Sequence, residues 1–178
     1  MSVAIIDYGV GNLFSLASSL HYLGVEAKVT AKAADLQAAD RLILPGVGAF
    51  GDAAAKLRES GLFEVVRQQA AAGKPLLGIC LGMQLLFDKS LEYGEHAGLG
   101  LIGGTVEALQ PDLSAYASTE SSFGLKVPHI GWNSLHILRD DPLFSYFKDG
   151  EYVYYVHSYY AKNCEADTLA VSDYGLPV

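Results

Sequence analysis

The chain has 178 residues, enough for one domain with a single sizeable core. Hydrophobic residues make up 51% of it and charged residues 18%, which is typical of a globular protein and excludes an intrinsically disordered one. The formal net charge of −8 argues against nucleic acid or an anionic membrane as the main partner.

The first half of the chain alternates strand-like and helical patterns. Apolar, β-branched runs predict strands at Val3–Ile6, 26–30, 41–46 and 75–79. Periodic patterns predict a helix that Asn12 caps and Gly24 ends, a short helix within 31–40, two helices within 47–74 divided at Ser60–Gly61, and a helix over 81–90. This alternation predicts an α/β fold with a mainly parallel sheet.

From Leu99 onward the sequence is rich in strands and turns. Segments 100–109, 125–138, 151–161 and 168–175 are predicted as antiparallel additions. Ser114–Ser122 is polar and is predicted to be a loop within the domain rather than a linker.

The cysteines and the apolar runs indicate which cellular compartment to expect and which kinds of site the sequence does not support. Cys80 and Cys164 have neither zinc-ligand spacing nor a disulfide framework, so we expect no metal and no cofactor. No basic leader precedes Val3, and the longest apolar stretch, 75–87, is too short to span a bilayer. These features predict a protein of the reducing cytoplasm.

Cys80 stands between two glycines, in the sequence Gly78-Ile79-Cys80-Leu81-Gly82. This is the spacing of a nucleophile elbow, in which small neighbours allow a strained turn between a strand and a helix. The start of a helix at Leu81 would favour the reactive thiolate. A buried cysteine that only fills the core is the alternative.

Two glycine-rich turns follow other predicted strands. The segment "GVGN", Gly9–Asn12, lacks the third glycine of a dinucleotide-binding fingerprint, because Phe14 stands there, so a tight turn is the better interpretation. The segment "LPGVGAF", Leu44–Phe50, could supply donors to an oxyanion or be an ordinary turn. In a parallel sheet it would lie at the same edge as Cys80, where such sheets bind ligands.

Four segments together resemble a known family: "LPGVGAFGDA", "PLLGICLGMQLLFDKS", "PHIGWNSL" and "YYVHSYYA". They are similar to class I, triad-type glutamine amidotransferases, and specifically to the glutaminase subunits of imidazole glycerol phosphate synthases. The resemblance runs from Val3 to about Pro177. It implies a flavodoxin-like three-layer α/β fold, one amidotransferase domain over residues 1–178, and hydrolysis of glutamine to glutamate and ammonia.

The resemblance also implies roles for individual residues. Cys80 is the expected nucleophile, and the N–H groups of Val47 and Leu81 are the expected oxyanion donors. Expected glutamine-binding residues are Gly48, Gln84, Glu92, Ser158 and Tyr159. Expected contacts with a (β/α)₈-barrel cyclase subunit, which would receive the ammonia and produce imidazole glycerol phosphate and AICAR for histidine biosynthesis, come from Asn12, Trp132 and Asn133.

The family's catalytic base and its orienting acid form a His-x-Glu pair inside "FHPE", which these 178 residues do not contain. The sequence is therefore expected to be truncated at its C-terminal end and catalytically incomplete. His157 matches a family position that is not the base, and we expect a hydrogen-bonded histidine in or near the sheet. A non-catalytic scaffold that modulates the cyclase, or a glutaminase of another synthase, are the alternatives.

Overall fold

A computed structural model describes residues 2–117 and 125–178. These residues fall into two compact units, Met1–Gly103 and Gly104–Val178, and the prediction of a single domain stays a prediction.

The first unit is built on a parallel sheet with the strand order β2-β1-β3-β4. Its strands are β1 (Val3–Ile6), β2 (Ala27–Thr30), β3 (Arg41–Gly46) and β4 (Leu76–Cys80). Its helices are α1 (Leu13–Tyr22), α2 (Ala33–Ala38), α3 (Phe50–Glu59) and α4 (Leu62–Ala71). The predicted α/β fold with a parallel central sheet is confirmed.

Burial explains why these segments form a sheet with helices packed against it. All four residues of β1 are buried, as expected for an inner parallel strand between two neighbours. Against Val3, Ile5 and Ile43 pack the apolar residues of α1 that recur at helical spacing, namely Leu13, Leu16, Ala17 and Leu20. The Asn12 side chain accepts a hydrogen bond from the Ser15 N–H at 3.1 Å, which confirms the predicted cap.

The helix predicted over 81–90 is wrong beyond its first turn. Helix α5 covers only Leu81–Gln84, and the chain then forms β5 (Phe87–Ser90), paired antiparallel with β6 (His96–Ala97). Continuous apolar residues at 85–87 fit a buried helix or a buried strand equally well, so periodicity could not separate the two.

The second unit contains the predicted antiparallel strands and one helix that the sequence did not indicate. Its strands are β7 (Ile102–Ala108, which begins at the boundary), β8 (His129–Ser134), β9 (His136–Ile137), β10 (Tyr152–His157), β11 (Tyr159–Lys162) and β12 (Ala170–Val171). Antiparallel pairs join β8 with β10, β7 with β11 and β9 with β12.

Helix α6, Leu109–Ala117, overturns part of the loop predicted at Ser114–Ser122, because residues 114–117 form its end. Residues 118–122 of that prediction lie outside the described residues. Leu109 and Leu113 are buried four positions apart, and this spacing gives the helix an apolar face despite its polar C-terminal half.

Candidate active site

Cys80 is the last residue of β4 and has the backbone angles φ 56° and ψ −120°. A residue other than glycine rarely occupies this region, and its occurrence at a strand-to-helix turn is the geometry of a nucleophile elbow. The Cys80 side chain is exposed, so the alternative of a buried core cysteine is wrong.

The glycines flanking Cys80 are required by close backbone approach. A Cβ atom at Gly82 would overlap the main-chain oxygen of Leu44 on β3, and one at Gly78 would lie 2.5 Å from Cα of Met83. Neither glycine has a positive φ, so crowding rather than backbone conformation selects glycine at these positions.

The helix that follows Cys80 is a single turn. It therefore lacks the macrodipole of a long helix, which was the expected source of thiolate stabilisation. Its first N–H groups nevertheless have no partner within the helix, and Leu81 N–H is the first of them. This placement fits the predicted oxyanion donor at Leu81.

The segment after β3 lies directly beside the elbow. Gly46 is the register partner of Cys80 in the β3–β4 pair, and a Cβ atom at Gly46 would lie 2.5 Å from the Gly82 nitrogen. Val47, which is 54% exposed, and Gly48, with φ 91°, then leave the sheet on the side where β4 ends. The structure thus brings the predicted oxyanion segment next to Cys80.

Buried contacts hold this segment from the β1 side. The Tyr8 hydroxyl donates a 2.7 Å hydrogen bond to the main-chain oxygen of Pro45, and burial raises the pKa of Tyr8 well above its usual value. A Cβ atom at Gly11 would lie 3.0 Å from Cβ of Pro45. The loop that carries Asn12 therefore packs against the residue preceding Gly46.

Glu92 and Gln84 do not share a helix face, because α5 ends at Gln84. Glu92 instead lies in the turn after β5, where its N–H donates to the Ser90 hydroxyl at 3.1 Å. Its carboxylate accepts a 2.6 Å hydrogen bond from the N–H of Phe50, the first residue of α3. The carboxylate is thereby fixed next to the segment that carries Val47 and Gly48.

This geometry separates two functions of the Glu92 carboxylate. We expect Glu92→Gln to keep an acceptor for Phe50 N–H and to lower the free energy of unfolding by less than about 1 kcal/mol, whereas Glu92→Ala leaves that donor unpaired and costs about 1–3 kcal/mol. Both variants lose the negative charge expected to hold the ammonium group of glutamine. Denaturant unfolding measures the change in stability. The concentration of glutamine that protects Cys80 from alkylation measures the effect of the lost charge.

The expected glutamine-clamping residues Ser158 and Tyr159 lie in the second unit, where β10 passes into β11. The Ser158 main-chain oxygen accepts a 2.9 Å hydrogen bond from Leu109 N–H, and Tyr159 pairs with Ala108. This segment is held by backbone pairing on one side and by His157 on the other, since the His157 Nδ1 lies 3.0 Å from the Tyr159 main-chain oxygen.

The segment "PHIGWN" lies within the predicted strand region 125–138, and His129–Ser134 form strand β8. Alternation along the strand places Trp132 on an exposed face, with 66% of the residue accessible, beside Tyr154 at a ring-centroid distance of 5.4 Å. Trp132 therefore does not pack in the core. Asn133 points the other way, toward a cluster around the buried His129.

His157 has both ring nitrogens within hydrogen-bond distance of neighbours in the second unit, His129 and the Tyr159 carbonyl. Burial lowers the pKa of His157, with the His129 charge as a lesser cause. A hydrogen-bonded histidine in the sheet was predicted and is found. Sequence reasoning missed the buried partner His129, although His129 and Asn133 both fall on the strand face opposite Trp132.

No group of three or more His, Cys, Asp or Glu side chains within residues 2–117 and 125–178 is arranged to hold a metal ion. In the same ranges, no helix combines the length and the apolar character needed to cross a bilayer.

Comparison with known proteins gives consistent matches over nearly the whole chain. Residues 4–175 match the family Glutamine amidotransferase class-I. The sequence is 47% identical over 176 residues to imidazole glycerol phosphate synthase subunit HisH of Wolinella succinogenes, covering 98% of this chain and 82% of that protein. The subunit of the same name from Caldanaerobacter subterraneus subsp. tengcongensis is 46% identical over 177 residues, covering 99% and 81%.

Solved structures support the fold. A crystal structure of a glutamine amidotransferase superposes with a TM-score of 0.71 at 22% sequence identity and covers 99% of this chain and 82% of that one. PurLQS from Thermotoga maritima superposes with a TM-score of 0.64 at 21% identity, covering 96% and 74%.

Proposed function

The chain belongs to the class-I glutamine amidotransferase family, and from this premise we propose that it is the glutaminase subunit of an imidazole glycerol phosphate synthase. It hydrolyses glutamine to glutamate and ammonia, and a cyclase subunit consumes the ammonia in histidine biosynthesis. The observation that carries the proposal is the register of Gly46 against Cys80, which sets a strained, exposed cysteine beside a glycine-rich segment. The named relatives at 46–47% identity support the particular synthase.

The first chemical step follows from the residues around Cys80. The thiolate attacks the side-chain carbonyl carbon of glutamine, and the carbonyl oxygen becomes an oxyanion. The N–H groups of Leu81 and Val47 would stabilise that oxyanion, a contribution of about 3–4 kcal/mol for one donor in other enzymes. Loss of ammonia requires a proton on the leaving nitrogen and leaves a γ-glutamyl thioester on the sulfur. Attack of water on the thioester then gives glutamate and restores the thiol. In the family the histidine of the His-x-Glu pair, which these 178 residues do not contain, transfers the proton in both steps.

Substrate recognition would use both charged ends of glutamine. The Glu92 carboxylate is fixed at the start of α3 and offers a negative charge to the α-ammonium group. Gln84, Gly48 and the Ser158–Tyr159 segment supply hydrogen-bonding groups for the amide and the backbone of the substrate. None of these contacts needs a cofactor.

The partner surface would include Trp132, Asn12 and Asn133. Trp132 is the only tryptophan of the sequence, and it is exposed beside Tyr154, which is also exposed; tryptophan is enriched among the residues that anchor interfaces. The Asn133 side chain is hydrogen-bonded to His129 and Asp173 and lies on the opposite face of β8 from Trp132. We propose that it stabilises the strand that presents Trp132.

Two measurements test the proposal and separate it from its alternatives. In calorimetric titration, we expect the chain to bind the cyclase subunit of imidazole glycerol phosphate synthase but not the synthase subunits of other amidotransferases. In that complex, we expect a γ-glutamyl chloroketone to alkylate Cys80 and L-glutamine to prevent it. Binding without alkylation would support a scaffold, and binding to another synthase subunit would support a different glutaminase.

Trp132→Ala is expected to weaken binding of the cyclase subunit by about 2 kcal/mol or more, close to 30-fold in Kd, because exposed tryptophans that anchor an interface contribute on this scale. Tyr146→Ala is the matched control, since Tyr146 is a fully exposed aromatic residue of the same unit outside the proposed surface. Equal Kd values for the two variants in calorimetry would remove Trp132 from the interface.

A further inference from the structure

The most unusual buried group outside the Cys80 site is the imidazole of His129. Only 1% of this residue is exposed. Its ring lies between two tyrosine rings in stacked orientation, with centroid distances of 3.7 Å to Tyr174 and 4.8 Å to Tyr155. The faces of aromatic rings carry negative potential and stabilise a cation placed against them.

Hydrogen bonds hold both tyrosines in place. The Tyr174 hydroxyl donates to the main-chain oxygen of Lys126 at 2.9 Å. The Tyr155 hydroxyl donates to the hydroxyl of Ser172 at 2.9 Å, and the buried Ser172 donates in turn to the Ser134 main-chain oxygen at 2.8 Å. The stacked arrangement is therefore built into the fold at both rings.

His129 is also the centre of a chain of four hydrogen bonds. His157 Nδ1 is 3.0 Å from the Tyr159 main-chain oxygen, and His157 Nε2 is 2.8 Å from His129 Nδ1. His129 Nε2 is 3.0 Å from Oδ1 of Asn133, whose Nδ2 donates to the Asp173 main-chain oxygen at 2.8 Å.

Both ends of this chain of hydrogen bonds are main-chain carbonyl oxygens, which only accept. This fixes the number of protons that the two imidazole rings must carry. The amide nitrogen of Asn133 must face Asp173, so its oxygen faces His129 and requires a proton on Nε2 of that ring. His157 requires a proton on Nδ1, and the bond between the two rings requires one more. The hydrogen bonds therefore require three N–H protons on the two imidazole rings. Two neutral imidazoles carry one such proton each, two in all, so one of the rings must be an imidazolium.

We propose that His129 is a buried imidazolium whose two N–H groups fix Asn133 and, through His157, the main-chain carbonyl of Tyr159. The pair is thus a positioning relay between strand β8, which presents Trp132 on its other face, and the Ser158–Tyr159 segment. The role assigned to that segment rests on the proposed glutaminase function, whereas the protonation of His129 does not.

The charge belongs on His129 rather than on His157 because, of the two rings, only that of His129 is enclosed by two stacked aromatic faces. The titratable groups that contact the His129 ring are His157 and Tyr155 from β10 and Tyr174 from the C-terminal segment. Asp173 takes part in the chain of hydrogen bonds through its main-chain oxygen, whereas its side chain accepts a hydrogen bond from Gly175 N–H at 2.9 Å.

Nitrogen-15 NMR of the full chain labelled in its histidines tests the protonation directly. At pH 7 we expect both nitrogens of His129 and Nδ1 of His157 to carry protons, with His157 Nε2 as the one unprotonated nitrogen of the pair. One unprotonated nitrogen on each ring at pH 7 would overturn the proposal, whatever the outcome of the glutaminase experiments.

Variants of Tyr174 test the relay. Tyr174→Leu removes one of the two aromatic faces that stabilise the proposed imidazolium. A smaller share of His129 should then carry both ring protons at pH 7, and the glutamine concentration that half-protects Cys80 from alkylation should rise about tenfold. Tyr174→Phe keeps the aromatic ring, so its histidine nitrogen-15 signals and its glutamine protection of Cys80 should be those of the unsubstituted chain. The same is expected of Tyr146→Leu.

Two results of these variants are decisive in different ways. Unchanged histidine nitrogen-15 signals of Tyr174→Leu at pH 7 would overturn the imidazolium. Changed signals with unchanged glutamine protection would overturn the relay. If Cys80 of the unsubstituted chain cannot be alkylated or protected at all, the proposed function fails while the NMR result stands.

Discussion

Cys80→Ala is expected to abolish covalent capture of a γ-glutamyl chloroketone, because the Cys80 sulfur is the atom that attacks the reagent and displaces its chloride. The physical reason is that Cys164, the other cysteine of the sequence, lacks the positive φ and the strand-to-helix turn of Cys80. Cys164 is half-buried, and its sulfur lies 3.7 Å from the hydroxyl of Thr168. Mass spectrometry of the alkylated peptide identifies the modified residue.

Cys164→Ala is the matched control, because it removes the other thiol without touching the elbow. It should be alkylated at Cys80 at the unsubstituted rate, and L-glutamine should protect both proteins equally. Equal labelling of Cys80 and Cys164, or undiminished covalent capture by Cys80→Ala, would contradict the assignment of the nucleophile.

The sequence was sufficient to predict the parallel sheet and the elbow. Continuous apolar strands and the spacing of glycines around Cys80 are local signals, and each corresponds to a backbone requirement in the structure. The position of the Leu44–Phe50 segment at the same sheet edge as Cys80 also followed, because the carboxyl ends of parallel strands meet at one edge, and the register of Gly46 against Cys80 is consistent with it. The resemblance to class-I glutamine amidotransferases, carried by the same segments, is confirmed by the family match.

The sequence was insufficient where tertiary contacts decide. The strand Phe87–Ser90 was predicted as a helix because an apolar run has no distinctive period, and its hairpin with β6 selects the extended form. The position of Glu92 at the start of α3 depends on that hairpin. The pairing of His129 with His157 joins residues 28 positions apart, a separation that no local pattern reveals.

Gly82→Ala is expected to be the most destabilising single-methyl substitution of the elbow. The added Cβ atom would overlap the Leu44 main-chain oxygen, which belongs to the central strand β3 and cannot move without disturbing its neighbours. Introducing atoms into a packed core costs about 1–3 kcal/mol and sometimes more. Because the obstructing atom is backbone rather than a flexible side chain, we expect at least about 3 kcal/mol here.

Chemical denaturation measures this loss, and Gly103→Ala is the control, because Gly103 has an ordinary φ and open space where its Cβ would lie. The control should unfold within about 0.5 kcal/mol of the unsubstituted chain, since exposed substitutions away from special features have effects of this size. In any folded fraction of Gly82→Ala, the γ-glutamyl chloroketone should alkylate Cys80 slowly. The reason is that moving Leu81 away from β3 also displaces the elbow from Gly46. A Gly82→Ala protein with unchanged stability and labelling rate would show that the approach of α5 to β3 is looser than the structure describes, and the predicted oxyanion site at Val47 and Leu81 would lose its geometric support.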